Sequence, residues 1–112
     1  GTLGIYCTKE DNGEFNDDVS RLRSRDLTDL IMTQIVDDIK VKYEPNWTRR
    51  GMWDRAYYEA RIPSCPTMLL ELLSHQNFAD MRYGLDPSFR FDVSRAIYKG
   101  MLRYLSSQYN TE

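Results

Sequence analysis

The stretch 61–78 (Arg-Ile-Pro-Ser-Cys-Pro-Thr-Met-Leu-Leu-Glu-Leu-Leu-Ser-His-Gln-Asn-Phe) constrains the fold more than any other part of the chain. After Pro66 come Met68, Leu69 and Leu70, then Glu71, then Leu72 and Leu73. A short apolar run bounded by turn residues predicts a strand buried on both faces, as in a parallel sheet. Glu71 is out of place there, because burying an ionised carboxylate without a partner is costly. It must pair with a cation, lie at a strand end facing a cleft, or hold a proton. The plain reading is an ion pair with an arginine. The sharper reading is a catalytic carboxylate at the carboxyl end of a strand, where open α/β sheets place their sites.

The rest of the chain supplies the partners of that strand. Residues 2–8 are β-rich and predict a strand. Residues 9–18 predict a loop, with Asp11-Asn12-Gly13 as turn chemistry. Ser24 is a good N-cap, and Leu27, Ile31, Ile35 and Ile39 recur at helical spacing, so a helix is expected over 25–41. Asp29, Asp37, Asp38 and Lys40 lie off that stripe and read as a solvated face. Pro45 ends the helix. Residues 46–52 then read as a loop, 53–62 as a second strand, and 74–83 as a helix. Gly84 closes that helix. Asp86-Pro87 restarts one as N-cap and first helical residue, and Val93, Ile97, Met101, Tyr104 and Leu105 carry it to about 106, with a frayed tail beyond. Phe89 and Phe91 read as core anchors, and the last helix as a cover for one face of the sheet. The order is β-α-β-β-α-α, an α/β fold built on a mostly parallel twisted sheet flanked by helices.

With 112 residues the chain is a single domain, and its 41% apolar share suffices for a core. A net charge of −2 leaves no basic footprint for nucleic acid. No apolar run approaches the roughly 18 residues of a membrane span. Cys7 and Cys65 have no metal-motif spacing and read as two buried free thiols in preference to a disulfide. His75 stands alone as the one histidine, most often a surface or core residue. Arg49, Arg50, Arg55 and Arg61 form the main cationic concentration. They serve either as strand-end solubility charges or, for one or two of them, as binders of an anionic substrate group.

Arg50-Gly51, then Arg61, Pro66 five residues on, Glu71 five beyond that, and a polar turn with Asn77 form an ordered set. The set resembles the C-terminal signature of the zinc-dependent N-acetylmuramoyl-L-alanine amidases of the amidase-3 type. Leu72-Leu73 departs from the Gly-Phe usual in that family. The variant Glu-Leu-Leu-Ser-His-Gln-Asn-Phe is similar to a secreted branch often labelled xanthan lyase. The resemblance implies that residues 1–112 are the C-terminal half of an amidase-like catalytic domain, outside the cytoplasm, acting on peptidoglycan or another cell-envelope glycan. It implies Glu71 as the general base and acid of amide hydrolysis. Among the arginines Arg61 is the best candidate for an anionic substrate group, because Pro63 and Pro66 stiffen its link to Glu71; the alternative is that Arg61 pairs with Glu71 itself. Zn2+ is implied for the whole protein, with its two histidines and one glutamate falling before residue 1, so this chain is expected to bind none. Other readings are a polysaccharide-active protein of the xanthan-lyase-labelled kind and a non-catalytic interaction module. A sheet cut in this way exposes an apolar strand edge, so self-association through that edge is expected.

Overall fold

The computed structural model describes residues 1–7, 18–55, 57, 65–74 and 77–109, with only the backbone given for 18–21 and 109. The elements are β1 (Thr2–Tyr6), α1 (Asp18–Lys42), β2 (Arg49–Asp54), β3 (Leu69–Glu71), α2 (Phe78–Gly84) and α3 (Pro87–Tyr109). This is the β-α-β-β-α-α order and the α/β class expected. The sheet is mixed, ordered β2-β1-β3, with β2 parallel and β3 antiparallel to the central β1.

α1 begins at Asp18, well before the expected start at 25. Ser24 is therefore no cap. It is buried within the helix, where its carbonyl accepts from Thr28 Oγ1 and its hydroxyl oxygen accepts from Thr67 N. A serine hydroxyl that reaches a neighbouring segment looks, in sequence alone, like one that caps its own helix. The apolar stripe is as expected: Ile31, Met32, Ile35, Val36 and Ile39 are all buried. Asp29 and Asp38 lie off it and form ion pairs with Arg49 and Lys99.

β2 lies earlier than the 53–62 expected, because Thr2 to Tyr6 pair with Arg49 to Asp54; residues 56 and 58–64 lie outside the described residues. β3 is a short edge strand, so Leu69 and Leu70 are only half-buried and Glu71 is exposed. It is not the strand buried on both faces that its composition suggests. α2 begins at Phe78, where the Asn77 side chain accepts from Asp80 N at 3.1 Å. α3 starts as expected, with Asp86 Oδ1 accepting from Ser88 N at 2.9 Å, and it runs on to Tyr109, past the end expected near 106; residues 110–112 lie outside the described residues.

α3 packs on α1 and α2 more than on the sheet. Its buried ridge is Phe89, Val93, Ala96, Gly100 and Tyr104. Phe89 is a core anchor as expected, but Phe91 is 69% exposed. Two positions along a helix rotate a side chain by about 200°, so the two phenylalanines cannot share a face. Gly100 is the closest approach, since a Cβ there would meet Ile31 Cα at 2.7 Å. Phe89 stacks on Tyr83 at 5.3 Å and meets Tyr43 edge-on at 5.0 Å, while Trp47 meets Tyr83 edge-on at 5.7 Å. This aromatic cluster joins α2 and α3 to the segment between α1 and β2. The two cysteines are not bridged; Cys7 is buried as expected, but Cys65 is exposed, contrary to the reading of two buried thiols.

Candidate active site

Side chains alternate across a strand, so the register assigns each residue a face. Gly4 faces α1, where a Cβ would meet Thr28 Cγ2 at 2.7 Å and Met32 Cγ at 3.0 Å. Its partner Leu70 packs into the helical core. Leu3, Ile5, Leu69 and Glu71 therefore take the opposite face. Glu71, Leu3 and Gly51 form one row across the sheet, and Leu69, Ile5 and Trp53 the next. At about 4.8 Å per strand, Glu71 and Gly51 are about 10 Å apart. The Trp53 indole folds back over Gly51, and the Arg55 guanidinium lies 5.5 Å from the indole centre.

Glu71 projects from this face into solvent and makes no ion pair or hydrogen bond among the described residues. An arginine clamp, the plain reading of a carboxylate in this run, is thus not found there. Arg49 is held on the α1 face by Asp29 and by Thr33 at 3.0 Å. Arg55 lies on Trp53. Arg61 and His75 lie outside the described residues. Glu71 does end its strand, but β3 is antiparallel, so that end lies beside the amino ends of β1 and β2. The groove at their carboxyl ends, about 630 Å³, is walled by Tyr6, Arg25, Asp26, Asp29, Arg49 and Met52, and is a separate feature on the α1 side.

The backbone after Glu71 is pinned from two sides. Thr2 Oγ1 donates to the Leu72 carbonyl at 3.1 Å and accepts from Trp47 Nε1 at 2.9 Å. Asp80, only 5% exposed, accepts from Ser74 N at 3.0 Å and from the Gly1 nitrogen at 3.2 Å. Sequence reasoning missed Asp80. Its signal was an acid three residues after the Asn77 cap, the spacing of a capping box. Thr2, Trp47 and Asp80 thus fix the backbone immediately after β3. Among the described residues no three His, Cys, Asp or Glu side chains lie together as a metal site. No helix of the described residues is long and apolar enough to cross a membrane.

These elements define an amidase-like α/β fold. The fold is similar to a solved structure of the CwlD amidase from Clostridioides difficile, in complex with the GerS lipoprotein, at a TM-score of 0.68 and 19% identity. The match covers 96% of this chain and 47% of that one, so the chain spans about half the length of that amidase. At this identity the likeness is one of fold. No protein-family model and no curated protein matches the chain.

Proposed function

We propose that this chain is the C-terminal half of an amidase-like cell-wall hydrolase domain and carries its proton-transfer carboxylate, Glu71. The observation that supports this is Glu71 itself: an exposed carboxylate without a partner among the described residues, at the end of a pinned strand in an amidase-like fold. The substrate in this reading is peptidoglycan, and the bond is the amide between the lactyl group of N-acetylmuramic acid and L-alanine. Glu71 takes a proton from the attacking water, then delivers one to the departing amine. Arg61 holds a carboxylate of the peptide stem, a task suited to its planar fork. Substrate of this kind places the protein outside the cytoplasm. The zinc of the resembled family is assigned no residue of this chain, and neither proton transfer is routed through it.

Glu71→Gln in the whole protein should lower the rate by about 10² to 10⁴ while leaving the thermal transition in place. New amino termini released from purified peptidoglycan report the rate. A mutant that hydrolyses at the wild-type rate removes Glu71 from the mechanism.

A further inference from the structure

The arginines in and beside β2 have different employments. Arg49 is held on the α1 face by Asp29 and Thr33. Arg55 lies on the Trp53 indole and donates to the Asp54 carbonyl. Arg50 is exposed and makes no hydrogen bond or ion pair among the described residues. Its direction follows from the register. The pairing of β2 with β1 shifts by one residue between Thr2 and Leu3, so Arg50 is the extra residue of a β-bulge. Bulges re-aim side chains and concentrate beside active sites. Thr2 faces the helical core, where it is bonded to Trp47 Nε1. Gly1 therefore faces the other way, as Leu3 and Glu71 do. Arg50 runs over that side of Gly1, since a Cβ on Gly1 would meet Arg50 Cγ at 2.8 Å. The side chain thus sets out on the face that carries Glu71.

We propose that Arg50 is a substrate-binding residue that takes a carboxylate of the peptide stem, two or three residues beyond the amide that Glu71 serves. This rests on the reading of Glu71 given above. The Cα atoms of Arg50 and Glu71 are two strand spacings apart, about 10 Å, and the two side chains form no ion pair. An arginine in contact with Glu71 would favour its ionised form and weaken it as a base. Standing off leaves Glu71 free, and the separation is that of about three extended residues of peptide. The planar fork of an arginine suits a carboxylate, and a guanidinium without an internal partner gives up only water to bind one.

The probes are two soluble N-acetylmuramoyl peptides, one with free carboxylates on the second and third residues, the other with both as primary amides. In the whole protein, Arg50→Ala should raise KM for the free-acid probe about ten- to a hundredfold, with kcat and the pH profile unchanged. KM for the amide probe should stay where it is. Arg50→Lys, which keeps the charge and loses the fork, should recover part of the difference. Titration calorimetry in a Glu71→Gln background, where turnover is slowed, should give the same ratio of dissociation constants. A Glu71→Gln protein that hydrolyses at the wild-type rate removes Glu71 from the mechanism, and the ratio between the probes still decides Arg50. A wild type that treats the two probes alike overturns the proposal. An Arg50→Ala protein that loses affinity for both probes equally, or for neither, overturns it too.

Discussion

Gly100→Ala tests the α1–α3 contact by the sign of its effect. In an isolated helix the change stabilises by about 1 kcal/mol, because alanine is the best helix former and glycine among the poorest. In this fold the new Cβ would lie 2.7 Å from Ile31 Cα, 3.0 Å from its Cγ1 and 3.2 Å from its nitrogen. Carbon atoms prefer separations of about 3.5 to 4.0 Å, so the helices must part by about 1 Å. Two of the three atoms in the way are α1 backbone, which cannot swing aside as a side-chain end would. A gap of that size forfeits a quarter to a half of each contact along the ridge. Overpacking of a core costs about 1 to 3 kcal/mol, and a backbone obstacle belongs at the upper end. Subtracting the propensity gain leaves a net loss of about 1 to 2 kcal/mol, or a melting point lower by about 5 to 12 °C. Urea and thermal unfolding followed by circular dichroism measure it, with the urea m-value unchanged. Ser106→Ala, on an exposed part of α3, is the control that isolates propensity and should be neutral or slightly stabilising. A Gly100→Ala chain as stable as the wild type, or more so, would refute the packing of α3 on α1 through this residue.

Thr2→Val keeps the shape but strips the acceptor from Trp47 Nε1 and the donor from the Leu72 carbonyl; each unsatisfied buried group costs about 1 to 3 kcal/mol, and an unchanged urea midpoint would rule the network out. Asp92 is held below its ordinary value of 3.8 by hydrogen bonds from Lys42 and then Tyr43. That support is present above 3.8 and is lost as pH falls through the lower folded-state value. At the other limb, Lys42 is raised from 10.5 by Asp92, and Tyr43 from 10.0 by burial and then Asp92, so their support is lost as pH rises through those raised values. Melting points of Asp92→Asn across the acid range should fall less steeply than those of the wild type, and parallel curves would deny the link between α1 and α3. Arg61→Ala in the whole protein should raise KM for peptidoglycan with little change in kcat, as loss of uniform binding does; an unchanged KM would withdraw Arg61 from the site.

Local pattern alone determined much of this molecule. The alternation of β-rich and helical segments yields the α/β class and the order of elements, because burial periodicity is a property of neighbouring residues. Asp86-Pro87 marks the start of α3 for an equally local reason, a side-chain acceptor followed by a fixed φ. Glu71 stands out in sequence because a charge among leucines violates the burial rule for its own strand. Other features depend on what each face meets, and only the tertiary structure decided those. Period two tells which residues share a side of β3, but not that β3 runs antiparallel to β1, which puts Glu71 beside the strands' amino ends. Helical spacing groups Phe91 with Leu105 as readily as Phe89 with Tyr104, and the contact with α1 selects the second set. Gly100 carries no local signal beyond poor helix propensity; its reason is the backbone of α1 lying within touching distance. Ser24, Thr2 and Asp80 are small polar residues whose roles arise from partners 43, 70 and 79 positions away in the chain. Such distances close only when the sheet and helices come together, so no window of sequence contains them.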